Sequence, residues 1–172
     1  MDTITSQFLQ DDALQRLRSL RRTQSWGLLA FAAISIAVGF GLLGLPKESV
    51  QARFLQGFGW QCVVWGIIDL VFALLGVGQS VRADRRPNTP QASADEFLAA
   101  EKLLRSLRFN QRLNVGYVTI GVVLTLCGYL VANPILGGHG TGVLVQGGFL
   151  LLLDAAVANR LDRLMNEPAK LV

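Results

Sequence analysis

Four stretches of this chain are too long and too apolar to sit in water: Trp26 to Leu45, Phe58 to Gly78, Leu113 to Ala132 and Thr141 to Ala158. The first and third contain no charged residue. At a rise of ~1.5 Å per residue, about 20 residues span the ~30 Å hydrocarbon core of a bilayer. The fourth stretch is the shortest and reaches across with little tilt. In lipid every backbone polar group must be satisfied internally, and continuous rather than alternating apolar runs meet that demand as helices. Composition agrees: 51% of the 172 residues are hydrophobic and 16% charged. A Leu- and Val-rich chain with two cysteines fits no disordered, collagenous or disulfide-stapled class. One all-α unit over residues 1–172, with lipid as its solvent, is the expectation.

The ends of these stretches carry stop signals. Pro46 follows the first and Asn133-Pro134 the third, while Arg82 and Arg160 follow the second and fourth. A cleaved signal peptide is a poor reading of the first stretch, because its apolar run exceeds the usual ~7 to 15 residues and no small-x-small site closes it. It is expected to remain as an anchor. Lys and Arg are retained on the cytoplasmic side during insertion, so their distribution sets orientation. Residues 1–25 hold four (Arg16, Arg18, Arg21, Arg22), residues 79–112 hold seven, the tail holds three, and the two intervening outer loops hold only Lys47 and Arg53. Both termini and the central connection are therefore expected in the cytoplasm. The net charge of +4 lies beside membrane spans rather than in a separate basic domain. That points to anionic lipid headgroups, met by Arg16, Arg18, Arg21, Arg22, Arg105, Arg108 and Arg112, and away from nucleic acid.

The chain also repeats itself. Leu17-Arg18-Ser19-Leu20-Arg21 with Gln24 recurs as Leu104-Arg105-Ser106-Leu107-Arg108 with Gln111, 87 residues on. Gln61 and Asp69 recur as Gln146 and Asp154, 85 residues on, with Ala73 and Ala158 four residues beyond each aspartate. Residues 8–80 and 94–164 thus read as two repeats joined by a linker at 81–93, each a cytoplasmic amphipathic helix followed by a helical hairpin. An even number of spans per repeat makes them parallel, related by a pseudo-twofold along the membrane normal. Ser93 and Glu96 form a capping-box pattern, and Phe97, Ala100, Leu104 and Leu107 then make one apolar stripe; Leu14, Leu17 and Leu20 make a weaker one. Such helices are expected to lie in the headgroup layer, with mutual packing and partner docking as the alternatives.

The polar residues inside the spans carry the functional signal. Asp69 is the twelfth residue of its span and Asp154 holds the matching place in the fourth. An unpaired aspartate at mid-helix costs ~2.5 to 3.5 kcal/mol on insertion scales, so neither is expected to face lipid as a charge. Asp69 shares a helix face with Cys62, Trp65, Gly66, Ala73 and Gly76, mostly small residues that admit a neighbouring helix. Asp154 lies over Gly147 and near Ala158, and Gln61 and Gln146 sit two turns outward on the same strips. Two meanings compete for this polar site of Gln61, Asp69, Gln146 and Asp154, with Trp65 beside it. Either the aspartates titrate in a wet cavity and carry protons or bind a cation, or they are hydrogen-bonded to Gln, Ser or Asn on neighbouring helices and hold the bundle together.

Other motifs carry less. Gly39-Phe40-Gly41-Leu42-Leu43-Gly44 satisfies the dinucleotide pattern G-x-G-x-x-G only as letters, because no strand precedes it; Ala33, Ala37 and Gly41 at fourfold spacing read as a packing face. Cys62 and Cys127 read as core thiols at similar depth. His139, the chain's one histidine, falls in the outer loop Gly137-Gly138-His139-Gly140 and reads as an exposed side chain in a flexible turn without metal partners. No Ser-His-Asp, HExxH, CxxC or P-loop arrangement is present, so neither an enzyme nor a bound cofactor is expected.

The segments Gly59-Trp60-Gln61, Trp65-Gly66-Ile67-Ile68-Asp69, Gly138-His139-Gly140 and Val145-Gln146-Gly147-Gly148-Phe149 with Asp154 resemble an uncharacterised family of bacterial four-span membrane proteins, a domain of unknown function. The resemblance covers about residues 10 to 162. It implies a bacterial inner membrane and no particular substrate, and it adds His139 to Gln61, Asp69, Gln146 and Asp154 as positions of interest. The expected product is a four-helix transmembrane bundle of two parallel-repeat hairpins. Its expected role is that of a non-enzymatic small subunit, assembly partner or homo-oligomer, with a small proton- or cation-coupled transporter using Asp69 and Asp154 as the alternative.

Overall fold

The computed structural model describes residues 3–46, 48–85 and 89–166, with side chains from residue 12 onward except at 90, 92 and 93. Lys47, Arg86 and Lys170, counted in the charge bias above, and the Ser93 side chain lie outside the described residues. The described residues form four α-helices and no strand: α1 (Thr3–Leu43), α2 (Val50–Asp84), α3 (Pro90–Leu130) and α4 (Pro134–Asn166). Each contains one of the apolar stretches and is long and apolar enough to cross a membrane, as a multi-pass membrane protein requires. Much of the apolar side-chain surface faces outward, Ile34, Phe40, Phe72 and Leu152 among it, where lipid tails rather than protein supply the solvent.

The amphipathic segments are not separate helices in the headgroup layer. Residues 3–43 and 90–130 are each one unbroken helix of 41 residues, so each stripe continues into its span without a bend. At the end of the bundle that carries the chain termini, here the basic end, Leu17 of α1 packs with Ala100, Leu104 and Leu107 of α3 and with Val157, Ala158 and Leu161 of α4. Burial against protein on several sides removes more apolar surface from water than lying half-inserted in headgroups, which decides for mutual packing. Helix α3 starts at Pro90, which suits a first helical position because its missing N–H would be unsatisfied there anyway. Ser93 is therefore already inside the helix, and Glu96 is used otherwise than in a capping box.

At the opposite, short-loop end the turns are tight. Ser49 caps α2, its side chain accepting a hydrogen bond from Ala52 N at 3.0 Å. Helix α3 ends in a Schellman turn: Asn133 N donates to Gly128 O at 2.8 Å and Ala132 N to Tyr129 O at 3.2 Å. Ala132 takes the left-handed conformation this turn needs, at φ 51°. Asn133 Oδ1 then accepts from Leu136 N at 3.1 Å and starts α4 at Pro134. Gly137 to Gly140, read from sequence as an outer loop, is consequently helical: Asn133-Pro134 ends one helix and begins the next.

Helix α1 pairs antiparallel with α2, α3 with α4, and α2 leans on α4. Glycines set the close approaches. A Cβ on Gly39 would meet Gly59 O at 2.8 Å, one on Gly66 would meet Ala32 O at 3.1 Å, and one on Gly121 would meet Leu144 N at 2.5 Å. Between α2 and α4 the close contacts fall near the short-loop end, Gly57 against Ile135 and Gly138 against Phe54. The face α1 offers to α2 is Ala32, Ile36 and Gly39, so Ala33, Ala37 and Gly41 turn outward and are exposed. One residue of offset rotates a helix face by about 100° and explains that difference from the sequence reading. Helices α2 and α3 make no close backbone approach. Because α2 is held to α4 at the short-loop end and α3 to α4 along its length, α2 and α3 stand apart toward the basic end.

Candidate functional site

Where α2 and α3 stand apart there is a cavity of about 840 Å³, walled by all four helices. Its innermost lining residues are Trp65 of α2 and Tyr117 of α3, whose rings meet edge-to-face at 5.2 Å and close the floor. From there it widens toward the basic end, past Asp69, Asp154 and Asn114 to Arg18, Arg21 and Asp84. Asp69 and Trp65 are one helical turn apart on α2 and therefore share the cavity wall, as the sequence spacing requires. Of the rest of the face read from sequence, Cys62 and Ala73 are buried, Gly66 is buried against Ala32 and Ile36 of α1, and Gly76 is partly buried and lines the cavity.

The two aspartates differ in their partners. Asp154 is buried, and its Oδ2 accepts a hydrogen bond from Asn114 Nδ2 at 3.0 Å. Asp69 is 3% exposed, and its Oδ2 is enclosed with no hydrogen-bond partner among the described residues. The two carboxyls lie within electrostatic reach of each other. Buried polar groups are nearly always hydrogen-bonded, so an unpartnered carboxyl oxygen in a cavity wall is an exception within this fold.

The four polar residues expected on a common strip do not all meet there. Gln146 is 2% exposed and faces α1, its Nε2 donating to Ser35 Oγ at 3.3 Å while its Oε1 has no partner. Gln61 pairs with His139 near the short-loop end, Nε2 to Nδ1 at 3.1 Å. His139 is thus half-buried on a helix and hydrogen-bonded, not exposed in a flexible turn. The strip is one polar track divided into three stations on different neighbours: Gln61 with His139, Gln146 with Ser35, and the aspartates with Asn114. Trp65 joins the aspartates.

The arginines divide as well. Arg16, Arg22, Arg105, Arg108 and Arg112 are exposed, with Arg16 beside Asp12 at 2.8 Å and Arg108 beside Asp162 at 3.1 Å. Arg18 and Arg21, grouped with them from sequence, instead turn into the cavity mouth. Arg18 donates through Nε and Nη2 to the carboxylate of Glu96, the shortest contact being 2.7 Å. Glu96 is 5% exposed and ties α1 to α3. Arg21 sits alongside with its Nε buried and without a hydrogen-bond partner among the described residues. Sequence reasoning missed Asn114, Ser35 and Glu96 as site residues. Asn114 was within reach, being a polar residue one step inside an otherwise apolar span, whereas Ser35 and Glu96 depend on which helix faces which.

Cys62 is buried and Cys127 exposed, both as free thiols, so only the first is a core residue. The G-x-G-x-x-G letters lie within and just after α1, Gly39 serving the α1–α2 contact. Among the described residues no group of three or more His, Cys, Asp or Glu side chains is placed to hold a metal ion. No curated protein and no solved structure matches the chain. The model of a family of unknown function, DUF6992, matches residues 27–155, a segment that contains Trp65, Asp69, Asn114, Tyr117 and Asp154, and the chain belongs to that family.

Proposed function

We propose that this protein binds a cation in the cavity between α2 and α3 through Asp69 and Asp154 and couples that binding to proton or cation movement across the membrane. The single observation that carries this reading is the cavity itself, of about 840 Å³, with both aspartates in its wall and one Asp69 oxygen left without a partner. Aspartates that only held the bundle together would each be satisfied by a neighbouring helix, as Asp154 is by Asn114. The role is non-enzymatic in this reading. The setting is a bacterial inner membrane with both termini in the cytoplasm, supported by the concentration of Lys and Arg at the basic end, so that the cavity opens inward. The exposed Arg16, Arg22, Arg105 and Arg112 lie where anionic headgroups would meet them. Duplication of two hairpins is supported by the recurrent motifs and by the antiparallel pairing of α1 with α2 and of α3 with α4.

The test is flux through purified protein in proteoliposomes carrying an internal pH dye, driven by a potassium diffusion potential. Wild-type flux above that of empty vesicles, lost in Asp69→Asn and reduced in Asp154→Asn, is the expected result. Flux that is absent, or unchanged in both variants, overturns the reading.

A second reading, a subunit or homo-oligomer, is favoured by the outward stripe of Ala33, Ala37 and Gly41 on α1, which packs on nothing within this chain. The mass of the assembly after gentle solubilisation decides it: a stoichiometric second chain supports a subunit, and a single chain excludes both forms.

A further inference from the structure

We propose that the cation taken by this cavity is organic, an ammonium- or phosphonium-type ion with an apolar body, its charge against Asp69 and its body against Trp65, Tyr117 and Phe72. This rests on the cation-binding reading above and specifies its ligand.

Size comes first. About 840 Å³ lies within the ~300 to 1,000 Å³ range of sites that enclose drug-sized molecules and is far larger than a single ion requires. A bare divalent ion takes about six to eight oxygen ligands at short range, and the described residues gather no such set. Charge comes second. Asp69, Asp84 and Asp154 line the cavity and Glu96 stands at its mouth, against only Arg18 and Arg21, and Glu96 already engages Arg18. The site therefore selects for positive charge, and Asp69, one turn from the Trp65 floor, has an oxygen with no hydrogen-bond partner among the described residues.

The third observation concerns the wall around that carboxyl. Trp65 lies one turn deeper on the same face of α2, and its ring meets Tyr117 edge-to-face, which leaves an aromatic floor beneath the charge. Aromatic faces attract cations that have shed their water, above all bulky onium ions that hold water weakly. On the other side Ile68, Phe72 and Leu75 line the cavity while remaining 38%, 62% and 57% exposed on the outer surface of α2. An apolar rim shared between cavity and lipid suits a ligand that partitions into the bilayer, and not a hydrated inorganic ion.

The experiment uses the full-length protein in lipid nanodiscs and equilibrium binding of radiolabelled tetraphenylphosphonium. Saturable binding is expected, weakened at least tenfold in Asp69→Asn and severalfold in Trp65→Leu, and unchanged in Trp60→Phe, which lies outside the cavity. Absence of saturable binding to the wild type, or equal affinity in Asp69→Asn, overturns the inference. If Asp69→Asn fails to fold, judged by size-exclusion profile, Trp65→Leu carries the test, and unchanged affinity there overturns it. Aspartate-dependent flux in proteoliposomes without tetraphenylphosphonium binding would overturn the organic-cation assignment and leave the transport reading standing. Loss of both would overturn both.

Discussion

The first and second halves of this chain carry matching motifs at offsets of 87 and 85 residues, yet the structure treats them differently. In the second half, Asp154 has Asn114 on the preceding helix to donate to it. In the first half the position equivalent to Asn114 falls in Gly27 to Leu29, which offers no polar side chain, and Asp69 keeps an unpartnered oxygen. The basic end is uneven as well: Arg18 reaches across to Glu96 of α3, whereas Arg105, its counterpart, meets Glu101 on its own helix at 3.8 Å. Similar sequence in two halves fixes where polar groups lie along the helices; which are satisfied depends on the neighbour each meets. One aspartate is bonded to its neighbouring helix, and the other is not.

This comparison can be broken at several points. The largest effect is expected at Glu96. Replacing it with Ala removes the carboxylate that ties Arg18 to α3 in a partly buried site, and breaking such a pair from one side costs about 3 kcal/mol. Denaturant titration in mixed micelles reads this directly, and a cost below about 1 kcal/mol would reduce the pair to a surface contact. Next comes the contrast between the aspartates themselves. Asp154→Leu leaves the Asn114 amide buried without its acceptor and is expected to destabilise by about 1 to 2 kcal/mol. Asp69→Leu removes a buried polar group that has no partner and is expected to stabilise by about 1 kcal/mol. Equal effects from the two substitutions would erase the distinction drawn between them.

Asn114→Ala tests the same bond from its other side. It is expected to cost about 1 kcal/mol and to lower the flux difference between Asp154→Asn and wild type, since both aspartates would then lack a donor. The smallest effect is expected at the turns. Ala132 holds a left-handed conformation that L-residues adopt at a cost of roughly 1 to 2 kcal/mol. Glycine removes that strain but adds freedom to the unfolded chain, so Ala132→Gly is expected to gain only about 0.5 kcal/mol. The Ser49 cap at the other tight turn has no such strain, and no gain is expected from altering it.

The spans were legible in the sequence because hydropathy is a local average that tolerates errors in register. The burial of Asp69, Asp154 and Gln146, and the partial burial of Gln61, was legible for a related reason: a polar side chain in a long apolar helix has few places to go. What could not be read was the partner of each. Ser35 meets Gln146, and Gln61 meets His139, because glycines let α1, α2 and α4 approach at particular heights, and those heights are properties of pairs of helices. The stripe of Ala33, Ala37 and Gly41 reads as a packing face, but the face α1 presents to α2 is Ala32, Ile36 and Gly39, and only contact decides which small-residue face meets that neighbour. A wet cavity at the aspartates was one of two readings the sequence left open, but its place between α2 and α3 was not legible. It exists because α2 is drawn to α4 by Gly57 and Gly138 at one end and left unsupported against α3 at the other, an angle that no single helix encodes.

The unbroken length of α1 and α3 has a mechanical side. Forty-one residues make a rod about 60 Å long, roughly twice the hydrocarbon thickness, with no proline or glycine pair at the membrane boundary to serve as a hinge. A tilt of only about 5° about the glycine contacts at one end sweeps the far end through about 5 Å, close to the rise of one helical turn. The Arg18–Glu96 clasp joins these two rods beyond the level of the aspartates, so a tilt of α3 against α1 reaches it magnified and without slack.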